Sequence, residues 1–297
     1  MNNTAFIFPA FITDFTQKEL DFLERNQVDF RHYMKIASEA IGLEIPPFSY
    51  DAGIYRSDEL LSQVIAYLFS CAFFDTLTKK GIKADYAAGY SMGIYATLYA
   101  AGVISIKDGV KIIYKAYSLV SNLSCTGSYS MGAIIGLNKA DIEKLITDNH
   151  LEAEIINVNN EHSMVTAGIK QDIVQLLELA RHEGALSASE LTVNTPYHSK
   201  FLKQFAEPFI QFLDSLALKK PVIPILSTYN QRTIAEVNDV KLELVYNLTE
   251  KINWFDTVQS LLKFGVNTFY ECGAGKDLSK ISRFIEGDYQ LKSIYKI

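Results

Sequence analysis

The stretch Tyr86-Ala87-Ala88-Gly89-Tyr90-Ser91-Met92-Gly93-Ile94-Tyr95-Ala96 decides how this chain is read. A short apolar run meets Gly-x-Ser-x-Gly and continues in helix-forming residues, the pattern of a strand that turns sharply into a helix around a serine. In so tight a turn, side chains two residues to either side would collide, which accounts for glycine at both Gly89 and Gly93. The hydroxyl of Ser91 is left at a helix N-terminus, where free backbone N–H groups can receive a developing oxyanion. Gly-x-Ser-x-Gly alone is a weak pattern. The strand-like Asp85 to Ala88 before it and the apolar Ile94 to Ala100 after it turn it into a nucleophile elbow.

The chain of 297 residues is long enough for one large core or a core with a smaller inserted domain. Hydrophobic residues make up 48% and aromatics 12%, with no low-complexity tract, which excludes a disordered chain. A net charge of -6 argues against nucleic acid as the main ligand. Cys71, Cys125 and Cys272 are widely separated and odd in number, and read as reduced residues of a cytoplasmic protein. No metal site is expected, since the histidines lack close carboxylate or thiol companions. The N-terminal apolar run is too short for a signal peptide and has no basic leader. Leu60 to Leu77 comes nearest to a membrane span, but Ser62, Gln63, Ser70 and Asp75 interrupt it, so it is read as a buried helix and no membrane partner is expected.

In chain order, Ala5 to Phe8 is expected as a first buried strand ended by Pro9, followed by a loop through Thr13-Asp14. Thr16 to Leu43 reads as helix with a break, closed by Pro46-Pro47. A long helix over Asp58 to Lys80, a strand at Ala84 to Ala88, the elbow, and helices at Ser91 to Ala101 and Asp108 to Asn122 follow. Strands and helices in that order favour a parallel sheet covered on both faces. After Cys125 the texture becomes β-α-β-β-α-β, ending with a strand over Ala185 to Val193. The expected architecture is therefore α/β, with a discontinuous large domain, 1–125 and 193–297, and a small domain, 126–192, inserted into it. The large domain resumes with a helix over Phe201 to Leu216, a strand over Pro221 to Ser227, helices at Leu242 to Leu248 and Asn253 to Phe264, and a strand over Val266 to Cys272. A helix at Lys276 to Phe284 and a strand at Gln290 to Tyr295 end the chain.

A serine hydroxyl needs a base to take its proton as it attacks. His32 and His182 lie in mixed-charge helical segments and read as surface residues, His150 as a helix-end cap, and His162 as part of a turn between two strands. His198, in Asn194-Thr195-Pro196-Tyr197-His198-Ser199, stands where the small domain hands the chain back to the large one, in a loop held by Pro196. It is the candidate base toward Ser91 and then the acid toward the leaving group. Asp256 and Glu271 are possible acids behind it, and Glu271 could instead brace the glycine turn beside it. A backbone carbonyl would serve the other ring proton equally well and is preferred.

Phe8-Pro9, Gly89-Tyr90-Ser91-Met92-Gly93, Ala101-Gly102-Val103-Ile104, Asn157-Val158-Asn159, Thr195-Pro196-Tyr197-His198-Ser199, Asn253-Trp254 and Glu271-Cys272-Gly273-Ala274-Gly275-Lys276 form an ordered set over nearly the whole chain. That set resembles the malonyl-CoA:acyl carrier protein transacylase family, which includes the acyltransferases and acyl hydrolases of polyketide synthases. The resemblance implies an α/β-hydrolase-like large domain with a ferredoxin-like small domain. It implies a Ser-His pair, Ser91 and His198, that moves an acyl group from coenzyme A to the phosphopantetheine thiol of a carrier protein by a ping-pong route. No permanently bound cofactor is implied, and a monomer is expected. By resemblance, the backbone N–H groups of Phe11 and Met92 hold the oxyanion, and the Asn247 carbonyl orients His198. Gln63, Tyr90, Ala116, Asn157, Asn159 and Tyr197 fall around the substrate pocket.

The departures bear on specificity. The usual opening Phe-Pro-Gly-Gln-Gly-Ser-Gln is here Phe8-Pro9-Ala10-Phe11-Ile12-Thr13-Asp14, Tyr90 replaces a histidine, and Ile94 replaces a glutamate. At Ala116, malonyl-using members place the arginine that grips the free carboxylate of malonate. Lys115 is adjacent but points about 100° away around the helix, and Lys111 or Arg283 are candidates to supply the charge from elsewhere. Unless one does, an uncharged acyl group such as acetyl or a longer chain is expected. A hydrolase that clears acyl groups from carrier proteins is the alternative, with a non-catalytic carrier-binding scaffold as a third reading. Lys79, Lys80 and Lys83, or Lys276 and Lys280 with Arg283, are candidate docking patches for an acidic carrier.

Overall fold

In the computed structural model, residues 3–10, 15–50, 53–125 and 127–296 are described. Strand β1 (Asn3–Phe8) is covered on both sides: Phe6 and Phe8 enter one core, and Ala5 and Ile7 enter a second on the opposite face. That double burial is why the run lacks polar alternation. The helical stretch expected from Thr16 is two helices, α1 (Gln17–Arg25) and α2 (Phe30–Ile41). Gln27, at a φ of 56°, breaks the ladder, and Asp29 restarts it by accepting the Arg31 N–H. A short α3 (Ile54–Ser57) leads to α4 (Glu59–Lys79). By length and apolarity α4 could cross a membrane, but 78% of its most apolar window is buried in the fold, where it serves as the central core helix.

Next come β2 (Tyr86–Gly89), α5 (Gly93–Ala100) and α6 (Ile106–Cys125). The β-α-β-β-α-β unit then runs β3 (Tyr129–Ile135), α7 (Lys139–Asp148), β4 (Ala153–Asn160), β5 (Ser163–Ile169), α8 (Lys170–His182) and β6 (Ser187–Glu190). Its antiparallel order, β6-β3-β5-β4, is ferredoxin-like, as expected. The final strand is shorter than the sequence suggested. Helices α7 and α8 cover one face through Ile142, Ile173 and Leu177. Met131, Ile156, Val165 and Ala167 occupy the other face.

The returning chain begins with a 3₁₀ turn at Lys200–Phe205 and becomes α-helical only as α9 (Ala206–Asp214). Pro208 lies in the first turn of α9, where an N–H has no intrahelical acceptor to lose. Then follow β7 (Ile225–Leu226), β8 (Thr233–Ile234), α10 (Val237–Thr249), β9 (Ile252–Asn253), α11 (Trp254–Lys263), β10 (Val266–Glu271), α12 (Asp277–Ser282) and β11 (Gln290–Ser293). Only Ile225 and Leu226 of the proline-bounded run form strand, because Pro221 and Pro224 have no N–H for the ladder.

The large sheet is ordered β11-β10-β1-β2-β7-β8, parallel except at β8. Strand β9 joins the other sheet, pairing Ile252 with Asn157 and Asn253 with Val158. That parallel pairing, absent from the sequence reading, fastens the asparagine-bearing strand to the segment that opens α11.

Candidate active site

Ser91 follows the C-terminal end of β2 with a φ of 55°, a left-handed conformation that is uncommon for a residue with a side chain. The flanking glycines are required by close approach. A Cβ on Gly89 would sit 2.4 Å from the Ile94 nitrogen, and one on Gly93 would sit 2.1 Å from the Phe8 carbonyl oxygen on β1. Met92 caps α5, and among the described residues no acceptor takes its N–H. Phe11 and the Thr13-Asp14 loop lie outside the described residues.

His198 is also left-handed, at a φ of 60°. Its backbone N–H donates to the Leu248 carbonyl at 3.0 Å, and its Nε2 lies 2.7 Å from Ser91 Oγ. Nδ1 is buried toward the Asn247 carbonyl without completing a well-aligned hydrogen bond. Burial lowers the imidazole pKa to about 4, and the Asn247 carbonyl offsets part of that shift. The ring is therefore neutral near pH 7 and free to accept a proton. The Asn247 side chain adds a contact that sequence reasoning missed: its Nδ2 donates to the Ser91 carbonyl oxygen at 3.1 Å.

The other histidines stand apart from this pair. His32 and His182 are exposed, and His162 lies in the β4–β5 turn with its N–H on Asn160 Oδ1. His150 follows α7 at a φ of 53°, and it is its backbone N–H that caps the Thr147 carbonyl. Neither candidate acid is directed at His198. Glu271 accepts the N–H groups of Leu278 and Ser279 at the start of α12, and Asp256 pairs with the Asn253 amide at the start of α11.

The six expected pocket residues flank Ser91 on two sides. On one side, Tyr90 donates its hydroxyl proton to Asn159 Oδ1 at 2.7 Å, accepts from Asn157 Nδ2 at 2.8 Å, and packs edge-on against Trp254. Burial pushes the Tyr90 phenol up to about 12, so it stays protonated. Tyr90 and Asn157 line an open cleft of about 790 Å³ that also exposes Ser91 and His198. Met131 and Val165 from the small sheet form its apolar wall, with Lys18, Lys276 and Lys280 on its rim. On the other side, Gln63, Ala116 and Tyr197, the last of which also lines the cleft, surround a small cavity of about 30 Å³ with Met92, Tyr95 and Leu248.

No lysine or arginine lines that inner cavity among the described residues. Lys115 lies with its ammonium 6.0 Å from the Phe212 ring centre, and the Arg283 guanidinium sits over Phe284 at 4.7 Å, so neither replaces the arginine expected at position 116. Lys111 does not line it either. Lys79, Lys80 and Lys83 require a correction. They precede β2 at its N-terminal end, whereas Ser91 follows its C-terminal end, so this patch is at the opposite end of the strand from the elbow.

A strained serine at a strand-to-helix turn, within hydrogen-bond reach of a buried neutral imidazole, defines an enzyme that works through a serine acyl ester. The family model described as an acyl transferase domain matches residues 60–273, and the chain belongs to that acyltransferase family. It is 28% identical over 302 aligned residues to the malonyl CoA-acyl carrier protein transacylase of Bacillus subtilis, covering 99% of this chain and 93% of the relative. The Staphylococcus aureus protein of the same name is 29% identical over 218 residues, covering 72% of this chain and 71% of that one. Among solved structures, the Coxiella burnetii malonyl CoA-acyl carrier protein transacylase superposes with a TM-score of 0.90 at 23% identity, over 99% of this chain and 94% of that one. A malonyl-transacylase in complex with its type II PKS acyl-carrier protein gives 0.91 at 22% identity, over 98% and 96%.

Proposed function

We propose that this protein transfers a short, uncharged acyl group from coenzyme A, through an ester on Ser91, to the phosphopantetheine thiol of an acyl carrier protein. The observation that carries the reading is the 2.7 Å contact between Ser91 Oγ and His198 Nε2 beside a cleft open to a long, flexible thioester arm. His198 takes the hydroxyl proton as Oγ attacks the thioester carbonyl carbon, and the Met92 N–H, with that of Phe11, receives the oxyanion. Collapse breaks the carbon–sulfur bond, and the departing coenzyme A sulfur takes the proton from His198. In the second half, the carrier thiol gives its proton to His198 as its sulfur attacks the Ser91 ester, and collapse breaks the carbon–Oγ bond while His198 returns the proton to Ser91 Oγ.

Lys18 and Lys276 at the cleft suit the phosphates of coenzyme A and an acidic carrier, while Lys280 beside them is paired with Asp277 at 2.7 Å. The chain would act as a cytoplasmic monomer, with residues 126–192 as a small domain over the large one. Ala116 and the uncharged inner cavity support an acyl group without a carboxylate. A space this small, about 30 Å³, suits a group such as the methyl of acetyl. Saturating loading assays with acetyl-CoA and malonyl-CoA test this, with acetyl expected to load Ser91 faster. A strong malonyl preference would sink the specificity, and release of free acid faster than transfer to the carrier would mark a hydrolase instead.

A further inference from the structure

The inner cavity has a second device beside the alanine at position 116. Besides Ser91, His198 and Asn247, its polar side chains are Gln63, Tyr95 and Tyr197. Tyr197 donates its one hydroxyl proton to Glu59 Oε1 at 2.8 Å. Gln63 Nε2 donates to the same Glu59 oxygen at 2.9 Å and lies 3.2 Å from the Tyr197 hydroxyl oxygen. The Tyr197 hydroxyl and the Gln63 amide are thus engaged with each other and with Glu59. They converge on a carboxylate held one helical turn before Gln63 on α4. Tyr197 and Gln63 are both hydrogen-bond donors to Glu59.

We propose that Glu59 determines acyl specificity at this site: by engaging Gln63 and Tyr197 and placing a negative charge behind them, it excludes acyl groups that end in a carboxylate and leaves the pocket to uncharged ones. This rests on the acyl-transfer reading above. A carboxylate entering the cavity would meet a like charge in a partly desolvated setting, with Gln63 and Tyr197 already engaged by it. Burial raises the Glu59 pKa above the usual carboxylate value and the neighbouring Asp58 adds to the rise, while the hydrogen bonds from Tyr197 and Gln63 oppose it. Alanine at 116 removes an attraction for a carboxylate, and Glu59 adds a repulsion; discrimination commonly uses both.

The experiment measures initial rates of Ser91 loading from acetyl-CoA and from malonyl-CoA, scored by intact mass, for the parent chain, Glu59→Gln, Glu59→Asp and Ala116→Arg. Glu59→Gln removes the charge but keeps an acceptor, and is expected to raise the malonyl-to-acetyl ratio roughly tenfold. Glu59→Asp keeps the charge and should stay within about threefold of the parent ratio. Ala116→Arg should leave acetyl preferred, because Glu59 would claim the new guanidinium; adding Glu59→Gln to it should turn the preference to malonyl. An unchanged ratio in Glu59→Gln, or a malonyl preference from Ala116→Arg alone, would overturn the role of Glu59. Failure of the parent to load any acyl group would instead count against acyl transfer itself.

Discussion

The side-chain amide of Asn247 donates to the backbone carbonyl of Ser91 at 3.1 Å, binding the nucleophile's turn to the helix that also positions its base. The next residue, Leu248, accepts the His198 backbone N–H, so the end of α10 holds both catalytic residues in their left-handed conformations. Asn247→Ala keeps the backbone carbonyl toward His198 but frees the turn. A loss of kcat on the order of tenfold to a hundredfold is expected, with KM little changed. A variant as fast as the parent would show that the elbow holds its geometry unaided.

Burial sets the pH range of the base. With its pKa lowered to about 4, His198 is already neutral well below the 6.5 of a free imidazole. Acylation, measured as kcat/KM, should rise as pH increases through about 4 and be level by pH 6. An acid limb centred near 6.5 would mean that the ring is solvated in the working enzyme.

Tyr90 joins two asparagines of the small sheet through one hydroxyl. Tyr90→Phe keeps the ring against Trp254 but leaves Asn159 Oδ1 and Asn157 Nδ2 without that partner. A loss of about 1–3 kcal/mol is expected, measured by denaturant unfolding. An unchanged midpoint would indicate that the amides repair the contact between themselves.

Glu243, buried on α10, accepts from Ser227 Oγ and the Thr228 N–H, and desolvation raises its pKa from 4.5 to about 7. Between those values the folded protein holds a proton that the unfolded chain releases. Its contribution to stability is therefore intact below 4.5 and lost as pH rises through 7. Glu243→Gln removes this dependence, and should be more stable than the parent at pH 8 relative to pH 5 by roughly 2–3 kcal/mol. Parallel stability curves for the two proteins would refute this.

Residues demanded by local backbone geometry were legible in the sequence. Gly89 and Gly93 announce the elbow because no side chain fits where they stand. His198 is marked by Pro196, which restricts the loop that delivers it. The inserted unit was legible because its strands and helices carry their own periodicity. What the sequence hid depends on contacts between distant segments. Strand β9 has two residues and no period to read. Among the aspects of Asn247, the resemblance implied only the carbonyl, because an amide reaching across 156 positions to Ser91 leaves no local trace. Glu59 looks like an ordinary first-turn acid of α4 until Tyr197, 138 positions away, is folded onto it. The lysines before β2 were misplaced for a related reason: nearness to Ser91 along the chain puts them at the other end of a strand.

The most direct test is the intact mass of the parent and of Ser91→Ala after incubation with acetyl-CoA, before and after addition of a phosphopantetheine-bearing carrier protein. The expected result is one acetyl group on the parent, passed to the carrier when it is added, and none on Ser91→Ala. Equal loading of the two chains, or carrier acetylation that proceeds as fast with Ser91→Ala, would contradict an acyl ester on Ser91.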